Sequence, residues 1–396
     1  MLIIKKNIFV GISLLFASSL LCFFVVEFAL RVFNYQTKVL GDWWLPSQDL
    51  RIKKQAYYDL NPTRIYSINP RLSLKDESAS DEFGFRFNPN HKKLSNKPYV
   101  ILAFGDSFTF GHGVAYNQTY PYYLENILKK KYNKNIIVHN AGIPGYSPDQ
   151  TFIYIKENIH KLNPDLIIWN IDISDIIESN QLCLFKKQGN SYQQLPAHLN
   201  IIYSQGFILK YAPSIIRNSR LLNLFLSAPT LIAKKRWYTI GCTISDKNMD
   251  LVKKGFSQKM NYFFSEIKEM NTNILITLTP LQFYFDRSIN NNHYIFQDYK
   301  LLIDTIHNSG FPFVNSNAEI AKSASVELYA YRNSSKNWAK LPKNIKVAGE
   351  KTVNLSDVFF LEETEFNYGR RHLNSDGNYA FAQAIAAKIT IPYDRK

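Results

Sequence analysis

Tyr99-Val100-Ile101-Leu102-Ala103-Phe104-Gly105-Asp106-Ser107-Phe108-Thr109-Phe110-Gly111 runs from an unbroken apolar segment into a polar turn. Six apolar residues without alternation fit a short strand buried on both faces. Downstream the pattern becomes a βα rhythm. Tyr122 to Tyr132 is amphipathic and helical, with Pro121 tolerated near its start. Asn135 to His139 is a second strand and Pro148 to Leu162 a helix, with Asp149 placed favourably for the helix dipole. Asp165 to Ile171 is a third strand. The rhythm breaks over residues 178–250, which are rich in Gln, Asn and Leu with helical patches such as Ser219 to Leu226. It resumes with a helix at Ser257 to Met270, a strand at Asn273 to Leu278, a helix near Tyr299 to Ser309 and a short strand at Phe311 to Val314. Residues 316–355 read as irregular, and Ser375 to Ile389 as the last helix. Strands alternating with helices predict a parallel sheet covered on both faces.

In open parallel sheets, sites form beyond the carboxyl ends of the strands. Ser107, just past the first strand, stands where an exposed nucleophile belongs. A serine hydroxyl needs a neighbouring base to react, and imidazole is the group best suited to take its proton near neutral pH. His372-Leu373-Asn374-Ser375-Asp376-Gly377-Asn378 places such a group just before the last helix, with Asn or Ser available to cap it. Taken singly, Gly-Asp-Ser is a common turn and His372 a surface histidine beside a cap.

Together, Gly105-Asp106-Ser107, the His372-Leu373-Asn374-x-x-Gly377 segment and the βα sequence between them resemble the SGNH (GDSL-like) hydrolase family, over about residues 98–390. Gly105 to Gly113 and Asn140-Ala141-Gly142-Ile143-Pro144-Gly145-Tyr146-Ser147 look like a bacterial branch with an N-terminal anchor. The resemblance implies a flavodoxin-like three-layer α/β/α sandwich with a parallel sheet. It also implies an acyl-ester hydrolase or acyltransferase, with Ser107 as nucleophile and His372 as its base. The oxyanion hole would comprise the backbone N–H groups of Ser107 and Gly145 and the residue at Ser174. Two positions depart from the family pattern. Ser174 stands where the family carries Asn, so a shorter, freely rotating hydroxyl replaces an amide. Gly369 stands where the family carries Asp, and Arg370 and Arg371 follow it. Glu365, Asp357 or a backbone carbonyl is then left to orient the imidazole, or a Ser–His dyad operates without an acid.

From Ile8 to Val26 no residue is charged, a run of about 19 residues that is long enough to cross the hydrocarbon core as a helix. Lys5 and Lys6 precede it and Arg31 follows. The run is too long for a typical cleaved signal peptide, and Leu21 before Cys22 is not the small residue of a lipoprotein signal. An uncleaved signal-anchor is expected. The flanking charges leave its orientation open, because Arg51, Lys53 and Lys54 follow on the far side; the family resemblance implies a body outside the cytoplasm, at the inner (plasma) membrane.

The formal net charge of +15 favours anionic lipid, acidic wall polymer or nucleic acid. No nucleic-acid motif occurs, so the membrane or wall is the expected neighbour and nucleic acid is not. Among 25 Tyr and 28 Phe, most are expected in the core, the rest lining a groove suited to sugars. Of three cysteines, Cys22 lies in the apolar run. Cys183 and Cys242 can pair outside the cytoplasm, though a disulfide is not the favoured reading. No Cys/His ligand spacing occurs, so neither metal nor cofactor is expected.

The expected organisation is an anchor over 1–31, a polar lead-in over 32–97 with Trp43 and Trp44 at the membrane interface or on the body, and a domain over 98–390 with the 178–250 insertion. The expected function is hydrolysis of small-molecule or polysaccharide acyl esters at the cell envelope. The alternatives are acyl transfer to an envelope polysaccharide and a non-catalytic envelope protein that retains the fold.

Overall fold

A computed structural model describes residues 2–33, 58–70, 79–93, 98–197, 219–222, 224, 244, 248–281, 294–317, 345–346, 352–353 and 372–392. Trp43, Trp44, Cys242, Asp357, Glu365, Gly369, Arg370 and Arg371 lie outside these residues, as do most of the expected insertion and most of the irregular 316–355 stretch.

The first helix, α1, spans Leu2–Val32. Its Val10–Val32 portion has a mean hydropathy of 2.2 and is long and apolar enough to cross a membrane. A short antiparallel hairpin follows, β1 (Tyr58–Asn61) with β2 (Ile65–Ile68). Its turn is built by Asn61, whose Oδ1 accepts the N–H groups of Thr63 (3.0 Å) and Arg64 (2.8 Å). The sheet proper comprises β3 (Tyr99–Gly105), β4 (Ile136–Gly142) and β5 (Leu166–Ile171). Outside it lies the hairpin of β6 (Phe185–Gln188) and β7 (Ser191–Gln194). The sheet is completed by β8 (Ile274–Leu278) and β9 (Phe313–Asn315). The order is β4-β3-β5-β8-β9 and every pairing is parallel. Counted within the sheet this is 2-1-3-4-5, the flavodoxin-like doubly wound arrangement.

Helices cover both faces: α2 (Tyr120–Tyr132), α3 (Pro148–Leu162), α4 (Met249–Glu269), α5 (Tyr294–Ser309) and α6 (Ser375–Lys388). Alternation along β3 separates two cores. Leu102 and Phe104 join residues of α3, α4 and α5, among them Phe152, Phe263 and Leu302. Ile101 and Ala103 join α2 and α6, through Tyr120, Leu124 and Phe381. The result is the expected α/β/α sandwich. Local chemistry sets the helix ends. Pro148 opens α3, the Gln150 side chain accepts the Ser147 N–H at 3.1 Å, and Asn163 closes the helix in the left-handed conformation.

The lead-in contributes to the body. Ile65, Tyr66, Ile68 and Phe85 are buried in the same core as Phe104 and Phe152, and Arg86 donates its N–H to Asn140 O at 2.9 Å along the free edge of β4. Cys183 is buried and disulfide-bonded, contrary to the favoured reading of the sequence. Cys22 is a free thiol on α1.

Candidate active site

The chain leaves β3 for β4 on one side and returns across it to β5 on the other, so the carboxyl ends of β3 and β5 flank the switch point of the sheet. Ser107 stands at that point. It opens a single helical turn, Ser107–Phe110, for which Asp106 is the cap: its Oδ1 accepts the Phe108 N–H at 2.9 Å. The turn lies directly against β4. A Cβ on Gly142 would meet Phe110 N at 2.2 Å and the Thr109 carbonyl carbon at 2.7 Å, so only glycine lets the two backbones approach this closely.

His372 reaches the same point from 265 residues further along the chain: its Nε2 lies 2.8 Å from Ser107 Oγ. Five hydrogen bonds fix the segment that carries it. Asn374 Oδ1 accepts the Gly377 N–H at 2.9 Å and caps α6. Asn378, fully buried, donates from Nδ2 to Leu373 O (3.1 Å) and Asn374 O (2.9 Å) and accepts the Tyr120 N–H at 3.0 Å. Tyr123 and Ser375 share a hydroxyl–hydroxyl bond of 2.7 Å. The start of α6 is thus tied to the start of α2, which follows the Ser107–Phe110 turn. His372 and its cap are marked in the sequence, whereas Asn378 is marked only by its place one turn into the helix.

The imidazole lies between two rings, Phe108 at 4.8 Å and His112 at 5.1 Å between centroids. Burial, then the neighbouring His112, lower its pKa to about 4. A neutral His372 is a base over most of the pH range.

Ser174 lies in the loop after β5. Its N–H donates to Asp172 Oδ1 at 2.8 Å, and its side chain makes no capping bond to the Asp175–Glu178 turn that it precedes. Gly145 is exposed three residues beyond the end of β4, at φ +75°, a conformation that favours glycine. Among the described residues, neither the Ser107 nor the Gly145 N–H donates a backbone hydrogen bond. Asp106, next to Ser107, interacts electrostatically with Asp172, Asp175 and Glu178. Burial, followed by Asp172 and Glu178, pushes Asp106 well above the ordinary carboxylate range; burial, then Glu178, Asp106 and Asp172, do the same to Asp175. Among the described residues no group of three or more His, Cys, Asp or Glu is arranged to hold a metal ion. A cavity of about 900 Å³ lies at the opposite end of the sheet, lined by Tyr99, Asn135, Asp165 and Asn273 at or before the strand starts, and has no part in this site.

No family model matches the sequence, and no curated protein matches it. Solved structures do. An acetylxylan esterase from Geobacillus stearothermophilus, Axe2, is 14% identical over 75% of this chain and 96% of its own, with a TM-score of 0.37. TesA is 9% identical over 73% and 97%, at 0.38. A G-D-S-L family lipolytic protein from Desulfitobacterium hafniense DCB-2 is 10% identical over 74% and 99%, at 0.35. At such identities and scores these neighbours carry no argument about the activity of this chain.

Proposed function

We propose that this chain is a serine ester hydrolase of the SGNH type, held at the cell envelope by α1. The observation that carries the proposal is the 2.8 Å contact between Ser107 Oγ and His372 Nε2 at the carboxyl end of β3. In this reading Ser107 Oγ attacks the ester carbonyl as His372 Nε2 takes its proton, and the oxygen that becomes negative is met by the N–H groups of Ser107 and Gly145 and by the Ser174 hydroxyl. His372 then returns the proton to the departing alcohol. Water, deprotonated by the same nitrogen, releases the acid and restores the serine. A Ser–His dyad suffices for this cycle, because an orienting acid holds the base without reacting itself; the candidate acids Asp357 and Glu365 lie outside the described residues. The substrate class is a small-molecule or polysaccharide acyl ester.

Two features support a body outside the cytoplasm on a retained anchor. A disulfide-bonded Cys183 fits an oxidising compartment. Glu27 of α1 is buried against residues 219–221: its carboxylate accepts from the Ser219 hydroxyl (2.9 Å) and from the N–H groups of Arg220 (3.1 Å) and Leu221 (2.8 Å). Removing the helix would leave those donors without their acceptor. The proposed division keeps the anchor at 1–31 and the hydrolase domain at 98–390, with the lead-in packed on that domain.

The test is turnover of a short acyl ester, p-nitrophenyl acetate, by the full chain in detergent. Wild type is expected to turn over and Ser107→Ala to be inactive. Equal turnover by the two removes the assignment.

A further inference from the structure

Arg86 belongs to the lead-in, 21 residues before Ser107, yet its guanidinium is buried within the loop that follows the nucleophile. One nitrogen donates to the carbonyls of Phe110 and Gly111 (2.8 Å for the latter), and the other to the carbonyl of Val114 at 2.6 Å. Its plane also lies over the Phe110 ring, 4.5 Å from the centroid. These carbonyls close the helical turn that Ser107 opens and carry the chain past His112. The His112 N–H returns to Ser107 O at 3.0 Å, and the His112 ring packs beside His372. Asn140 of β4 reinforces the arrangement from the sheet side, donating from Nδ2 to Phe110 O at 3.3 Å.

A planar guanidinium offers five N–H groups in a fixed fork. Here that fork gathers three carbonyl oxygens, one at the end of a turn only four residues long and two in the loop just after it. So short a turn has little stability of its own. Lysine, with one ammonium at the end of a flexible stem, cannot span the same three acceptors.

We propose that Arg86 is a positioning residue for the Ser107–His372 pair: it locks the 110–114 loop and thereby sets both the direction of the nucleophile turn and the stance of His112 against the catalytic imidazole. This rests on the hydrolase reading above and extends it, making the lead-in part of the catalytic unit. Arg86 touches neither member of the pair and acts through the loop.

The experiment compares wild type, Arg86→Met and Arg86→Lys as full chains in detergent, each checked for folding by circular dichroism and thermal melting. Three quantities are read: the rate at which a fluorophosphonate probe labels Ser107, kcat and KM for p-nitrophenyl acetate, and the titration of the His112 ring by NMR. His112 keeps one face exposed; its pKa is lowered by partial enclosure and then by the charge of Arg86. Folded Arg86→Met is expected to lose about ten- to a hundred-fold in labelling rate and in kcat, with KM changed by less than about two-fold. Its His112 titration moves up. Arg86→Lys, which keeps the charge but not the fork, is expected to show the same kinetic loss with His112 titrating close to its wild-type position. If Arg86→Met does not fold, Arg86→Lys carries the kinetic comparison. Labelling and kcat at wild-type levels in a folded variant overturn the role of Arg86 and leave the hydrolase reading standing. A wild-type chain that is neither labelled nor active overturns both.

Discussion

The acid limb of the pH profile follows from the environment of His372. General-base catalysis requires the neutral imidazole, and kcat/KM reports the ionisation of the free enzyme. An unperturbed histidine titrates near 6.5, whereas burial and His112 bring His372 to about 4. The difference corresponds to about 3 kcal/mol against the charged ring. The sign is that of a base which stays unprotonated further into acid: activity is full above the lowered pKa and falls only as pH drops through it. At pH 5 about nine-tenths of His372 is then neutral, against about 3% for an unperturbed ring, a difference of about thirty-fold in the population of the base form relative to its own plateau. The assay is initial-rate kcat/KM for p-nitrophenyl acetate from pH 3.5 to 8, corrected for spontaneous hydrolysis and for reversible unfolding. His112→Gln provides the second arm: it removes the smaller cause, so the limb should move up only part of the way toward 6.5. An acid limb at 6.5 or above in wild type would refute the reasoning, because it would require a partner that stabilises the imidazolium, and with it a triad in place of the dyad.

Three further outcomes are expected. Gly142→Ala drives a Cβ into the backbone of Thr109 and Phe110; denaturant unfolding should show a loss of about 1–3 kcal/mol, and Ser107 labelling should slow even under conditions where the variant is folded. Ser174→Ala should lower kcat with little change in KM, by an amount short of the roughly 3 kcal/mol of a well-placed oxyanion donor; unchanged kcat would take Ser174 out of the hole. Lys259 donates to Asp149 Oδ2 at 2.9 Å and to Ser179 O at 2.6 Å, and Asp149 is fully buried. Lys259→Met should therefore cost about 3–5 kcal/mol where Asp149 is ionised. Burial, opposed by Lys259, already holds Asp149 at about 6, so loss of the lysine moves it higher still and the destabilisation should be smaller at pH 5 than at pH 8.

The strands of the sheet are legible because a strand buried on both faces is written as a short apolar run, as in Val100–Phe104 and Leu166–Trp169. Helix starts were less so. The fourth helix begins at Met249, eight residues before the Ser257 expected from the sequence; its first turns are lysine-rich, and the deciding signal is Asn248, whose Oδ1 accepts the Leu251 N–H at 3.2 Å. The hairpin of Tyr58–Asn61 and Ile65–Ile68 went unread because each strand has four residues and the surroundings are polar. Its buried side chains, Ile65, Tyr66 and Ile68, join the core of the body, with Tyr58 packed edge to face on Tyr66 at 5.3 Å between centroids, which no local period records. At the site, Ser107 and His372 could be read because their chemistry and flanking segments are distinctive. Arg86 could not: a lone arginine between two phenylalanines looks like an exposed strand residue, and its burial depends on carbonyls that fold beside it from 24 to 28 positions later. Asn378 was hidden for the same reason, since its decisive partner, Tyr120, lies 258 residues away.

The reactivity of one hydroxyl decides whether Ser107 is a nucleophile. The full chain, incubated with a fluorophosphonate probe and digested for mass spectrometry, should carry a single phosphonyl adduct on Ser107; Ser107→Ala should carry none, and His372→Ala should acquire it far more slowly. A wild-type chain that remains unmodified, or that carries the adduct at another residue while Ser107→Ala still cleaves esters, would contradict it.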